Sequence, residues 1–277
     1  MRATSFLLIP GLTFTAQAQA PRVERHQEPL AMGAKLWIQQ GDGRVHIEGW
    51  DRAEVALEAE YHDDARGGKA SLLLRQVSGG LEIQVMEPLR QRFFLGRAHP
   101  ALCHLTLKVP RQLSVAARSV DGDISVRDLE GYARCETVDG EIRLDNLSGE
   151  ASTQTVDGRI EARDLKARIK GHTVDGDIHL ERVAGGVDLR TTDGDIEASD
   201  LDGWGEGIFL ATVDGSIRVK LGRATGNLDA RTSDGELEAL APGLQIQEMG
   251  SHRLRARIPG REQAINLRTT DGDIHVE

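Results

Sequence analysis

Asp-Gly recurs along this chain at a fixed interval: Asp121-Gly122, Asp139-Gly140, Asp157-Gly158, Asp175-Gly176 and Asp193-Gly194 follow one another every 18 residues. The interval loosens to 21 at Asp214-Gly215 and 20 at Asp234-Gly235, then widens to 37 at Asp271-Gly272, close to two periods. A period of roughly 20 residues marks a repeat protein, in which each unit hides its apolar face by stacking on its neighbours. The composition suits a thin, repetitive core: aromatic residues make up 4% of the chain, against 31 glycines and 39% hydrophobic residues.

Aligned on Asp, the units superimpose. Three and five residues later stand Ile124 and Val126, Ile142 and Leu144, Ile160 and Ala162, Ile178 and Leu180, Ile196 and Ala198, Ile217 and Val219. Alternation of this kind reads as a strand with one buried face. Two residues before Asp stands Ser119 in the first unit and then Thr137, Thr155, Thr173, Thr191, Thr212, Thr232 and Thr269, on a second strand. Leu129, Leu147, Leu165, Val183 and Leu201 follow, with Gly131, Gly149, Gly185 and Gly203 two residues on at an opposite bend.

Two all-β folds satisfy this pattern. Asp-Gly between alternating segments is a hairpin signal, which would give an antiparallel meander. The alternative, which we favour, is a single-stranded β-solenoid of about 18-residue rungs, each strand pairing in parallel with its equivalent one unit on. Stacked rungs account for the threonine ladder. They also account for outward columns of alternating sign, Arg143, Glu161, His179, Glu197, Arg218, Glu238 and Arg127, Asp145, Arg163, Glu181, because like charges at rung spacing repel.

The aspartates themselves, Asp121, Asp139, Asp157, Asp175 and Asp193 onward, would form a row of like charges. An Asx-type bend with Gly at positive φ is the structural account. Calcium between rungs is the chemical one, assisted by Asp123, Glu141, Asp177, Asp195 and Glu236. The structural account is preferred, because the glycine-rich nonapeptide of calcium-binding β-rolls is missing. No cofactor is expected.

Residues 1–20 read as a secretory signal peptide, with Arg2, an apolar stretch from Phe6 to Phe14, and Ala16, Ala18 and Ala20 before Pro21. The mature protein is then extracytoplasmic, in periplasm, envelope or medium, with no transmembrane segment after signal removal. Residues 21–110 read as a β-rich N-terminal cap and 111–277 as the repeat region. Cys103 and Cys135 leave a disulfide, two buried thiols or a ligand role open. A net charge of -10 argues against nucleic acid as a partner.

Three passages carry a family resemblance: Gly43-Arg44-Val45-His46-Ile47-Glu48-Gly49-Trp50-Asp51, then Val109-Pro110, then Ser119-Val120-Asp121-Gly122-Asp123-Ile124. Over nearly the whole mature chain the sequence resembles the bacterial putative-adhesin family of β-strand-repeat proteins, a domain family of unknown function. The resemblance implies a right-handed solenoid in the cell envelope with no catalytic residues to transfer. The degenerate stretch from Gly243 to Gly260 departs from the pattern, and Glu277, inside the last repeat, leaves an exposed edge strand open to edge-to-edge self-association.

No Ser-His-Asp spacing, phosphate loop or zinc motif is present. His172 and His179 flank Asp175 and Asp177, yet a solenoid places them on different faces. Binding has better candidates: Trp204 in an expanded bend, Phe209 in an outward column, and the basic, aromatic loop of Arg90, Arg92, Phe93, Phe94 and Arg97. The reading is therefore a non-enzymatic envelope or surface protein, an adhesin or scaffold that presents a rigid face to an envelope polymer or protein. Its rivals are a carbohydrate-active β-helix enzyme, which needs one buried carboxylate of raised pKa, and an envelope-stress sensor working through protein partners.

Overall fold

A computed structural model describes residues 21–62, 69–86, 102–202 and 206–277. Among them lie 24 strands and no helix, hydrogen-bonded as one open sheet. The first seven are β1 (Arg22–Pro29), β2 (Lys35–Gln39), β3 (Val45–Trp50), β4 (Glu54–His62), β5 (Ser71–Val77), β6 (Gly80–Met86) and β7 (Leu102–Pro110). The repeats supply β8 (Gln112–Arg118), β9 (Ile124–Arg127), β10 (Glu130–Glu136), β11 (Ile142–Asp145), β12 (Ser148–Gln154), β13 (Ile160–His172), β14 (Ile178–Val183), β15 (Val187–Arg190), β16 (Ile196–Ser199), β17 (Ile208–Ala211) and β18 (Ile217–Lys220). Then come β19 (Gly226–Arg231), β20 (Leu237–Ala239), β21 (Gln245–Met249), β22 (Arg253–Ile258), β23 (Ala264–Arg268) and β24 (Ile274–Val276).

The strands flanking an Asp-Gly pair do not pair with each other, so the bend is not a hairpin. β10 lies parallel between β8 and β12, and β11 lies parallel between β9 and β13, with Ile142 opposite both Ile124 and Ile160. Two stacks result. Sheet I runs β1-β4-β7-β3-β9-β11-β13-β14-β16-β18-β24-β20. Sheet II runs β5-β6-β2-β8-β10-β12-β13-β15-β17-β23-β19-β22-β21. β13 passes through both and joins them.

Inward residues of the two stacks form one continuous core. Ile124, Ile142, Ile160, Ile178, Ile196, Ile217 and Ile274 make an isoleucine column from sheet I, none more than 1% exposed. Cys135, Ile169, Leu189, Leu210 and Leu267 face them from sheet II, all 0% exposed. Each such side chain contributes about 2 kcal/mol by leaving water. Cys103 and Cys135 are buried on β7 and β10 and form no disulfide with each other, so of the three alternatives the structure shows two thiols in the core.

The Asp-Gly bend differs from expectation in its physics. Of the eight repeat glycines, from Gly122 to Gly272, none adopts a positive φ. They are glycines because rungs meet there: a Cβ on Gly140 would lie 2.3 Å from the Gly122 carbonyl oxygen and 2.9 Å from Thr137 Oγ1. Thr137 Oγ1 in turn stands within donating distance of the carbonyls of Val120 (3.2 Å) and Gly122 (3.1 Å). The left-handed residues sit at the opposite bend, one per period: Asp128, Asn146, Asp164, Arg182 and Asp200, with φ of 57, 51, 55, 54 and 53°.

Both ends of the parallel stack are interleaved. At one end β2 and β3 lie between the pair β6/β7 and the pair β8/β9. Residues 35–50 thus carry a repeat, with Asp42 bridged to Asp121. At the other end β23 and β24 lie between β17/β18 and β19/β20, although they come later in the sequence than either. The step of 37 residues arises here, since Asp271 bridges both Asp214 and Asp234. β24 is therefore an interior strand, not the exposed edge expected at Glu277. The degenerate stretch forms the antiparallel hairpin of β21 and β22, which covers β19.

The two caps differ in polarity. β1 turns Arg22, Glu24, His26 and Glu28 toward the side on which its partner β4 buries Tyr61, Ala59, Leu57 and Val55. Arg22 lies 3.9 Å from the Tyr61 ring centroid and donates to the Ala70 carbonyl at 2.6 Å. Inward charges on an edge strand discourage pairing with another chain. At the other end Leu240, Ile246 and Met249 stay exposed.

Candidate functional site

The outer face of sheet I is filled by its own charges. In register from β11 to β20 stand Arg143, Glu161, His179, Glu197, Arg218, His275 and Glu238. Arg143 pairs with Glu161 at 3.6 Å, Glu197 with both His179 (3.5 Å) and Arg218 (3.2 Å), and His275 with Glu238 (2.9 Å). The neighbouring column pairs Glu48 with Arg127 at 2.8 Å and Arg163 with Glu181 at 3.5 Å. Exposed pairs of this kind add little stability singly. Together they occupy much of this face, where a groove of about 370 Å³ opens among Arg159, Arg163, Asp177 and Asp195.

The Asp-Gly carboxylates Asp139, Asp157, Asp175 and Asp193 are exposed beside sheet I. The second acidic column, two residues on, ties rungs together. Asp123 Oδ1 accepts the Glu141 N–H at 3.0 Å, Asp177 that of Asp195 at 3.1 Å, Asp195 that of Ser216 at 2.8 Å, and Asp273 that of Glu236 at 2.8 Å. Among the described residues no group of three or more His, Cys, Asp or Glu is arranged to hold a metal ion. His179 belongs to the charge ladder and His172 to sheet II, so the two do not converge.

One carboxylate stands above its usual range: burial raises Glu141, with Glu161 and Asp123 adding to the effect and Arg143 opposing it. Its Oε1 is buried with no hydrogen-bond partner among the described residues. Arg143 holds the other oxygen, so its surroundings are those of a tie in the rung column.

Sheet I carries one aromatic residue at its outward parity, Trp50 at the end of β3, whose indole N–H donates to the Glu54 carbonyl at 2.8 Å and whose ring lies 4.8 Å from Arg52. The outer face of sheet II carries aromatic residues within its stack. Its central column reads Glu82, Trp37, Ala116, Arg134, Ser152, Lys170, Asp188, Phe209, Asn266, Asp229. Trp37 is 36% exposed, and its neighbour Ala116 is too small to cover the indole. A groove of about 690 Å³ opens there, walled by Gln39, Val77, Glu82, Arg118 and Arg134. An exposed ring, an amide, a carboxylate and guanidinium groups around one concavity are the groups that stack on and hydrogen-bond a polyhydroxylated ligand. Tyr132, half-buried, stands one column over.

Phe209 is half-buried on the same column, where the sequence places it, and borders a second groove of about 270 Å³. Arg190 lies 4.8 Å and Arg268 5.8 Å from its ring centroid. Trp204, the loop of Arg90, Arg92, Phe93, Phe94 and Arg97, and residues 1–20 lie outside the described residues. Sequence reasoning missed Trp37. The signal was its outward parity between Leu36 and Ile38, which are buried.

Comparison with known proteins bears on the fold. A family model described as Toastrack DUF4097 matches residues 34–277. No curated protein matches. Among solved structures, one described as a putative lipid binding protein from Parabacteroides distasonis has a TM-score of 0.50 at 12% identity, covering 92% of this chain and 96% of its own. A putative adhesin from Bacteroides fragilis follows at 0.49, with 12% identity and coverage of 92% and 97%. A putative cell adhesion protein from Clostridium sporogenes has a TM-score of 0.32 at 12% identity, covering 92% and 98%.

Proposed function

The chain belongs to the Toastrack DUF4097 family, and from that premise we propose that it is a non-enzymatic, extracytoplasmic binding protein. In this reading residues 1–20 direct export and the remainder forms a right-handed β-solenoid. Its long lateral face meets an envelope polymer or protein partner. The ten parallel strands from β7 to β20 in sheet I correspond to a rigid body about 45 Å long at strand spacing.

The observation that carries the reading is the contrast between the two outer faces. Sheet I neutralises its charges internally, whereas sheet II displays Trp37, Tyr132 and Phe209 along one side of a flat stack. Aromatic groups on a preformed surface bind with little ordering cost. The test is co-sedimentation of residues 21–277 with purified cell-wall sacculi. Wild type should pellet, Trp37→Ala should bind about tenfold more weakly, and Glu197→Gln on sheet I should bind as wild type. Equal loss from the sheet I substitution, or none from Trp37→Ala, would sink the assignment of the face.

A further inference from the structure

The charge alternation that organises sheet I breaks down at the C-terminal end of sheet II. One outward column there reads Arg190, Ala211, Arg268, Arg231, Arg253, with three arginines on adjacent strands. Like charges at rung spacing repel. Asp229 relieves part of this, accepting from Arg231 at 2.8 and 2.9 Å and from Arg253 at 3.1 Å. Arg190 has Asp188 at 3.3 Å. Arg268 has no ion pair among the described residues and rests against Phe209 instead.

Arg190 and Arg268 come from the strands on either side of β17, and both lean on the Phe209 ring that β17 carries. Ala211, a short side chain, stands between them in the column, and the two guanidinium groups approach the Phe209 ring from the neighbouring strands. Phe209 fixes the forks without neutralising them, since a cation against an aromatic face keeps its full charge. A planar carboxylate matches such forks in geometry and in sign. The adjoining groove adds the Asn266 amide, with the carboxylates of Asp188 and Glu206 at its wall. Sugar hydroxyls need donors and acceptors together, and this groove offers both. Any polyanion meets those carboxylates on a chain of net charge -10. A uronic-acid polymer differs from a phosphate-dense polymer or an anionic bilayer in carrying, beside each acid group, hydroxyls from which Asp188 and Glu206 can accept.

We propose that the Arg190–Phe209–Arg268 cluster on sheet II binds an acidic polysaccharide through its carboxylate groups. The inference rests on the binding role given above to this face and names the ligand class. Arg190 and Arg268 hold the carboxylate, Asn266 and Asp188 take neighbouring hydroxyls, and Phe209 positions the two forks.

The test is affinity electrophoresis and calorimetry of residues 21–277 with polygalacturonate, with neutral dextran, and with phosphatidylglycerol vesicles. Polygalacturonate should retard the protein, less so as salt rises, and dextran should not. Arg190→Gln with Arg268→Gln should weaken binding by about tenfold or more, while Arg143→Gln with Arg218→Gln, the same charge change on sheet I, should leave it within about twofold. All four sites are exposed, so thermal midpoints should stay within a few degrees of wild type, and Arg190→Lys with Arg268→Lys should recover part of the affinity. Absence of retardation, equal weakening by the sheet I pair, or binding to the vesicles instead overturns the proposal. If sacculi still pellet wild type but not Trp37→Ala while polygalacturonate is ignored, the ligand class falls and the binding face stands. If sacculi and polygalacturonate are both ignored, both readings fall.

Discussion

At the Asp-Gly bends the difference between a hydrogen and a methyl group decides whether two rungs can touch. A Cβ on Gly158 would sit 1.9 Å from the Gly140 carbonyl oxygen and 2.6 Å from Thr155 Oγ1. Gly158→Ala is therefore expected to cost about 1–3 kcal/mol, as overpacking does, read as a lower urea midpoint at unchanged slope. The cause is contact with the neighbouring rung and not a positive φ. A second expectation concerns Cys135, wholly buried, whose thiol burial pushes up to about 12. Thiolate is the reactive form, so Cys135 should resist alkylation in native protein at pH 8 and react in urea; rapid native labelling would contradict the burial. Glycine and threonine were legible in the sequence as positions. Their reason was not, because a period of 18 residues says which residues stack but not how closely their backbones approach.

At the scale of elements, the N-terminal strands hold two histidines whose protonation opposes folding. Burial, then Arg127, lowers His46, and burial, then Arg44 and His62, lowers His104. His104 Nδ1 accepts the Arg44 backbone N–H at 3.1 Å, which requires that nitrogen to be unprotonated. With folded values below the unfolded value of about 6.5, the unfolded chain binds more protons between the two. Stability is thus complete above about pH 6.5 and falls as pH drops through the folded values. Both rings are half-exposed, so the effect is modest. Thermal midpoints at pH 7.5 and 5.5 should differ less in His46→Gln, His104→Gln than in wild type, and an unchanged difference would contradict this assignment. The elements themselves were largely readable: alternation located the strands, and identical residues one period apart indicated parallel stacking. Asp42-Gly43 followed by Val45 and Ile47 was an unnoticed repeat, because 79 residues separate Asp42 from Asp121. The cluster at Phe209 was half-legible, since Arg268 reaches it only through the interleaving of β23.

At the scale of the molecule, interchangeable middle rungs contrast with ends that depend on distant sequence. Deleting residues 140–157 removes one period and rejoins Asp139 to Gly158, preserving the core columns while bringing Arg127 beside Arg163 and Arg134 beside Lys170. This variant should fold cooperatively with a thermal midpoint within about 5 °C of wild type, since stability in stacked repeats is a sum of near-neighbour terms. Deleting residues 264–277 should cost far more. It takes Ile265, Leu267, Ile274 and Val276, each no more than 1% exposed, from between rungs that have no other partner there. Circular dichroism should show lost strand signal and a lower, broader transition, and a wild-type melt would contradict the interleaved order. The same interleaving governs how the molecule carries load. Tension applied at β24 must slide it along two strands that grip it on both sides, β18 and β20, whereas tension applied at β1 peels a strand bonded on one side, to β4. A molecule anchored by one end and pulled by the other should therefore yield first at β1, with the stack and its sheet II face intact while the N-terminal strands pay out.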